Sequence, residues 1–516
     1  MWLLIFLQHF LIHRLDALGR YLIVIDDIWS TQAWKAIKCA LYENNCGSRI
    51  MTTTRIVSIA KSCCFPHHDH VYEIKPLSAH NYKSLLAKRI FGSEDTCPPQ
   101  LEEISIKILG KCKGVPLAIV TIASVLANKA STKEEWDSVH NSIGSTLEKD
   151  PDVEEMRKIL SLSYDELPHH LKTCLLYLSI FPEDYEIDMD QVVGRWIAEG
   201  FINTGGGQDL EEIGKCHFND LINRSMILPV KIKYDGQVVS CRVHDMILDL
   251  LISKSIEENF ATFIGGKNQK LVLQGKARRL SLNYYFYEDA LVPSTTIISQ
   301  CRSLSMFGYS EQMPSLSKFR ALRVLGIENG EEMEQKYFEQ IGALHQLKYL
   351  RLNLRSITSL PEQLGELQHL RTLDLGETKI KKLPKSIVQL QNLTCLRINN
   401  LELPEEIGNL HALQELSVIK INQNSSASSL LGLGSLINLR ILRLCWCIVN
   451  THPDSKAFVD NLLSSLRKLG RVNLRCLYIQ SYYGYSIEFL LDSWFPIPHL
   501  LQTFAMDMQY HLRTRN

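Results

Sequence analysis

The stretch Leu347-Lys348-Tyr349-Leu350-Arg351-Leu352 returns as Leu370-Arg371-Thr372-Leu373-Asp374-Leu375 and again as Leu393-Thr394-Cys395-Leu396-Arg397-Ile398. The frame is L-x-x-L-x-L. Its starts at 347, 370 and 393 lie 23 residues apart, inside the period of a leucine-rich repeat. Each copy reads as a short strand whose frame leucines point one way and whose intervening residues point the other. A single copy cannot bury its leucines, but stacked copies share one continuous core. Further frames stand at Leu322/Leu325/Ile327, Leu413/Leu416/Val418, Leu439/Leu442/Leu444 and Leu474/Leu477/Ile479, with weaker ones at Ala277/Leu280/Leu282 and Cys301/Leu304/Met306. Leu360-Pro361, Leu383-Pro384 and Leu403-Pro404 recur in phase and begin the convex side. A repeat solenoid is therefore predicted over 270–516. The asparagine or cysteine expected three residues after the last strand leucine is replaced by Arg355, Thr378 and Leu401. An uneven horseshoe with a weak internal ladder is expected.

The same frame says which residues face the concave surface. The last outward position reads Arg351, Asp374, Arg397, Ser417 and Arg443, flanked by Tyr349, Thr372, Cys395, Glu415 and Ile441. This mostly basic column is either a solvated face or a docking column for an acidic surface. That surface would belong to a partner protein or to the chain's own nucleotide module. Tyr349, Arg351, Asp374, Arg397 and Arg443 are the candidate protein-interaction residues.

Upstream, Tyr21-Leu22-Ile23-Val24-Ile25-Asp26-Asp27-Ile28-Trp29 is an unbroken apolar run ending in two carboxylates. The run reads as a parallel-sheet strand buried on both faces. Acids at the carboxyl end of such a strand sit where open α/β sheets bind ligands. They suit Mg²⁺ held through water, as in the Walker B strand of a nucleotidase. A helix from Ser30 and a second strand, Ser48 to Thr53, lead to Arg55, a fixed cation that could sense a γ-phosphate. Val71 to Ile74 reads as a third strand. A helix opens at Leu77-Ser78, and 77–150 reads as a helical bundle in which Pro116 starts an apolar helix. His244-Asp245 opens a helix after the strand Val238 to Val243, with Asp245 as its N-cap or first-turn acid.

These segments, with "LIVIDDIW" at 22–29, "GSRIMTTTR" at 47–55, "CKGVPLAI" at 112–119, "CLLYLSIFPEDYEI" at 174–187, "RWIAEGFI" at 195–202 and "VHDMILDLL" at 243–251, resemble in order the blocks of the plant nucleotide-binding, leucine-rich-repeat (NB-ARC/LRR) disease-resistance receptors. The resemblance implies a multidomain architecture. Residues 1–76 would be the back part of a P-loop-type α/β domain, 77–150 a helical subdomain, 151–260 a winged helix and 270–516 the repeats. It also implies ADP or ATP with Mg²⁺. Asp26 would hold the metal through water and Asp27 would polarise the attacking water. Arg55 would sense the γ-phosphate, Pro116 with Leu117 would meet adenine, and His244 would meet the β-phosphate and latch the ADP state. The implied role is an immune switch whose repeats sense pathogen effectors or other proteins, with oligomerisation in the full-length form. The stretch Asp190 to Phe201 carries only Arg195 as a cation, so no DNA-recognition helix is expected.

No Gly-x-x-x-x-Gly-Lys-Ser/Thr occurs in the chain, and that loop supplies the phosphate cradle. The chain thus reads as an amino-terminally incomplete receptor without ATP turnover. The alternative is a non-catalytic repeat module that no longer binds nucleotide. At 516 residues several domains are required. Lys+Arg and Asp+Glu both count 56, which argues against a nucleic-acid partner. Fourteen cysteines without a Cys-x-x-Cys pair read as reduced thiols of a cytoplasmic protein. Cys63-Cys64 to His70 reads as a polar loop, with metal binding the lesser alternative. Leu4, Leu7, Leu11, Leu15 and Leu18 read as an amphipathic helix, and no stretch reaches bilayer-spanning length.

Overall fold

The computed structural model describes residues 20–28, 30–41, 47–64, 69–93, 97–142, 151–203, 209–233, 236–265, 278–284, 298–308, 314–329, 333–422, 425–448, 455–482 and 500–509. The amino-terminal helix, Trp29 and most of the Cys64–His70 loop lie outside them. The chain divides into two compact units, Met1–Leu77 and Ser78–Asn516.

In the first unit, β1 (Leu22–Ile25) pairs in parallel with β2 (Arg49–Thr52), Leu22 opposite Arg49 and Ile25 opposite Thr52. Helix α1 (Thr31–Ala40) starts where the Ser30 hydroxyl accepts the Ala33 N–H. Helix α2 (Val57–Cys63) follows β2. Ile28, Trp34, Ile59 and Cys63 form a small core, with Ile25 and Leu41 against it. Two sequence expectations fail here. Leu22 and Val24 are exposed, so β1 is buried on one face only. Val71–Ile74 forms no strand, and Tyr72 and Ile74 are 87% and 85% exposed. β-Branched residues favour a strand only where a neighbouring edge and a covering layer exist, and the described sheet of this unit ends at β2.

The second unit opens with helices α3 (Ala79–Phe91), α4 (Pro99–Cys112), α5 (Pro116–Ala127), α6 (Lys133–Ser142) and α7 (Pro151–Asp165). Ser78 caps α3 and left-handed Gly92 ends it. Next come α8 (His169–Tyr177), β3 (Ile187–Asp188), α9 (Met189–Glu199), α10 (Leu210–Asn223), β4 (Leu228–Ile232), β5 (Val238–Arg242) and α11 (Asp245–Glu257). The three strands pair antiparallel in the order β3-β5-β4, and helices and strands close on one core around Leu175, Trp196, Phe218 and Ile247. This is the winged helix.

The repeats form one parallel sheet of eleven described strands in chain order. They are β6 (Thr262–Gly265), β7 (Arg279–Asn283), β8 (Ser303–Phe307), β9 (Val324–Glu328), β10 (Tyr349–Asn353), β11 (Thr372–Asp374), β12 (Cys395–Leu401), β13 (Glu415–Ile421), β14 (Ile441–Trp446), β15 (Cys476–Tyr482) and β16 (Thr503–Gln509). Frame residues such as Leu325, Leu350, Leu373 and Leu396 are fully buried. The register slips between β12 and β13 and between β13 and β14, where the 23-residue period is lost. Val418 takes a left-handed φ of 52° at the second slip. A side-chain ladder does exist, one residue before the frame leucine. Asn392, Asn438 and Asn473 donate to the carbonyls of Gln368, His411 and Ile437 in the preceding repeat, at 2.8, 2.8 and 2.9 Å.

Helix α9 lies on the inner face of the first repeats, where small residues let it approach. The end of α8 and the turn after it approach in the same way: Ser281 donates to the Ile180 carbonyl at 2.6 Å, and Ser303 meets the Tyr177 hydroxyl at 3.1 Å. A Cβ on Gly194 would stand 3.0 Å from the Tyr349 ring, and one on Gly326 would overlap the Arg195 guanidinium. Phe307 of β8 completes an aromatic group with Phe181 and Tyr185. Gly326→Ala is therefore expected to displace Arg195 and cost about 1–3 kcal/mol, seen as a lower thermal midpoint by calorimetry. Gly110→Ala, in α4 with open space at its Cβ, should hold or raise the midpoint.

Candidate functional site

Asp26 and Asp27 leave the carboxyl end of β1, and Arg55 follows β2. Asp27 sits at φ 56°, a left-handed turn that carries the chain off the strand. Its N–H donates to the Thr53 hydroxyl oxygen at 2.8 Å, and that hydroxyl donates to the Asp26 carboxylate. The Arg55 guanidinium reaches the Asp27 carboxylate at 3.3 Å, with the two side chains 41% and 29% exposed. The sequence-derived trio is thus gathered at one end of the sheet. An exposed, oxygen-only donor set fits a hard cation held through water. An arginine already on the carboxylate could exchange to a phosphate.

In the second unit, Pro116 is exposed at the first turn of α5. It follows Lys113 and Gly114, both left-handed at φ 47° and 73°. Leu117 packs half-buried against the winged-helix core that also contains Ile247 and Leu248 of α11. His244 caps α11, its Nδ1 accepting the Met246 N–H at 3.3 Å, and Asp245 is the first-turn acid. A ring accepting at Nδ1 carries its proton on Nε2 when neutral, so it can donate to an anion. The cap is therefore His244, not Asp245. Pro116 and His244 offer a flat apolar ring and an N–H donor, the residue types that suit a purine and a phosphate.

The concave column is engaged within the chain. Glu328 is buried and accepts from Gln191 at 2.8 Å, from Arg351 at 2.7 Å and from Asn353 at 3.1 Å. Arg195 lies 3.7 Å from the same carboxylate and donates to Ser305 at 2.8 Å. Its plane lies between the rings of Phe181 and Tyr349, at 5.3 and 5.4 Å. Its Nε and Nη2 find no hydrogen-bond acceptor, so the desolvation of this fully buried cation is incompletely offset. Arg351 also pairs with Asp374 at 2.5 Å. Further along, Glu415 accepts from Arg397 at 2.7 Å and Arg443 at 2.6 Å. Burial raises the Glu415 carboxyl pKa, but the two guanidiniums outweigh it and hold the group well below the usual carboxylate range. Asp190 of α9 lies 3.9 Å from Arg397. Arg440 pairs with Asp209 at the start of α10.

The sequence reading missed Glu328, Gln191 and Glu415 as partners. Arg195 was noted only as a lone cation. A lone cation in an otherwise apolar and acidic helix was the available signal, because a buried arginine needs an acid.

The NB-ARC domain family model matches residues 7–96. The disease resistance protein winged helix domain matches 180–251, and the leucine-rich repeat region matches 300–515. Disease resistance protein RGA5 of Oryza sativa subsp. japonica is 36% identical over 346 residues, 66% of this chain and 31% of that protein. Disease resistance protein Pik-2 of the same organism is 33% identical over 354 residues, 68% of this chain and 35% of that protein. Disease resistance protein RPP13 of Arabidopsis thaliana is 38% identical over 241 residues, 47% and 28% of the two chains. The chain thus spans about a third of the length of these relatives. No helix among the described residues is long and apolar enough to cross a membrane. With these three segments in their shared order, the chain belongs to the NB-ARC, leucine-rich-repeat disease-resistance proteins of plants.

Proposed function

We propose that the chain acts in a cytoplasmic immune receptor in which bound nucleotide sets the state of the winged helix and the repeats read a protein ligand. The contact that supports this most is the buried Arg195–Glu328–Arg351 group, which ties α9 to β9 and β10. It joins the domain carrying His244 to the surface that would meet a ligand. Its incompletely satisfied guanidinium makes the contact one that a competing interaction can open. In this reading Asp26 and Asp27 hold Mg²⁺ and its water, Arg55 meets a γ-phosphate, Pro116 and Leu117 meet adenine, and His244 meets a β-phosphate. Arg351, Asp374, Arg397, Arg443 and Tyr349 serve the internal docking face. When bound, ADP with Mg²⁺ supplies charge that these residues recognise.

A second reading has one observation in its favour. Arg55 already pairs with Asp27 at 3.3 Å, so that carboxylate is neutralised without a metal ion, and the chain would work as a protein-binding module alone. Equilibrium dialysis of ADP with Mg²⁺ against the full chain separates the two. The switch reading predicts saturable binding that His244→Ala weakens at least tenfold. Absent binding, or binding indifferent to His244→Ala, leaves the module. Neither reading expects ATP turnover above buffer background. Turnover abolished by Asp27→Ala would contradict both.

Glu328→Ala leaves the fully buried Arg195 guanidinium without its acid, while Arg351 keeps Asp374, a loss of about 3–5 kcal/mol for such a buried charge. Hydrogen exchange in α9 is expected to accelerate at least tenfold, while β14 and β15 keep their protection. Unchanged exchange in α9 would show that the network does not hold the helix.

A further inference from the structure

One position before each repeat strand, a second column runs along the sheet: Arg278, Arg302, Arg323, Lys348, Arg371, Thr394, Gln414, Arg440 and Arg475. The backbone fixes these residues side by side. The N–H of Arg302 donates to the Arg278 carbonyl, Arg323 to Arg302, Lys348 to Arg323 and Arg371 to Lys348, each at 2.7 or 2.8 Å. The ladder continues through Thr394 and Gln414 to Arg440 and Arg475. Rungs of a sheet are about 4.8 Å apart, so five consecutive cations span about 19 Å. Arg278, Arg302 and Arg371 are exposed, and Arg323 and Lys348 are half-buried. None of the five takes part in an ion pair among the described residues, unlike the concave column beside them, whose arginines are neutralised by Glu328, Asp374 and Glu415.

We propose that Arg278, Arg302, Arg323, Lys348 and Arg371 form a docking strip for an extended acidic segment of a partner protein. The far end of the same column already takes protein carboxylates. Arg440 holds Asp209, and Arg475 lies 3.8 Å from Glu212, both acids at the start of α10. The unneutralised end presents the same geometry without an acid. A strip suits an extended chain, whereas a compact polyphosphate needs cations that converge. No exposed aromatic stands beside the strip among the described residues, so the stacking platform of a single-strand nucleic-acid site is lacking. Partial burial and the flanking Arg323 and Arg371 push the Lys348 ammonium below the ordinary lysine range, as unopposed like charges require. Lys348 and Arg371 also line the mouth of a cavity of about 410 Å³ between α9, α10 and the repeats, whose other wall carries Asp190, Asp209 and Glu211, so an acidic segment would follow the rim and not enter it. The inference rests on the protein-binding reading of the repeats and not on nucleotide binding.

Fluorescein-labelled decaglutamate titrated against the full chain at low ionic strength, read by anisotropy, tests this. Saturable binding is expected, weakening as salt rises. Arg323→Glu/Lys348→Glu/Arg371→Glu should weaken it at least tenfold. The charge-preserving Arg323→Lys/Arg371→Lys should stay within twofold, which guards against simple misfolding. Lys379→Glu/Lys381→Glu/Lys382→Glu, the same charge change on exposed lysines elsewhere in the repeats, should also stay within twofold. No binding, equal loss in both reversed triples, or tighter binding of decauridylate or inositol hexakisphosphate than of the peptide would overturn the proposal. Peptide binding without ADP binding would fail the nucleotide switch and keep the strip.

Discussion

The second unit depends on one buried carboxylate. Glu328 ends a repeat strand, is closed off from solvent, and draws Gln191 and Arg195 from the winged helix and Arg351 and Asn353 from the next repeat. A carboxylate in that position costs several kcal/mol to desolvate. It persists because donors converge on it from two domains. Removing either side leaves the other with an uncompensated charge. The small concave residues follow from the same constraint, since Gly326 and Ser305 leave the volume that the Arg195 side chain fills.

Two adjacent columns of the same sheet therefore have different electrostatic fates. Residues within the strands alternate inward and meet α9, so their charges are matched by Glu328, Asp374 and Glu415. Residues just before the strands sit at the rim. There, among the described residues, the α10 acids reach Arg440 and Arg475 alone, and the earlier rungs stay positive. A formal net charge of zero conceals this arrangement, because the acids and bases that cancel in the sum are segregated in space.

Much of the repeat fold was legible because 23-residue periodicity and leucine phase are written directly in the chain. The strands β6 and β16 were not, since Thr262-Phe263-Ile264 lacks the leucine frame and β16 carries it only in the degenerate form Leu501/Phe504/Met506, in phase with Leu474/Leu477/Ile479. The sheet recruits both by backbone pairing. The asparagine ladder was sought three residues after the frame, whereas Asn392, Asn438 and Asn473 stand one residue before it. In the first unit the acids and Arg55 were legible from strand logic. The missing third strand was not, because Val71–Ile74 has strand composition but pairs with neither edge of the described β1–β2 sheet and stays uncovered. The inward column could be located by alternation. Its partners could not, because the convergence of Arg195 and Gln191 on Glu328 beside Arg351 depends on how the winged helix sits, which no local pattern encodes.

The most direct measurement of the central contact is a double-mutant cycle on Arg195→Met and Glu328→Gln, read by chemical unfolding of the full chain. Both changes keep approximate volume and remove charge. If the two groups hold the winged helix to the repeats, the effects are non-additive by about 1 kcal/mol or more. Additive effects would mean that Arg195 and Glu328 are stabilised separately and that the contact does not depend on their pairing.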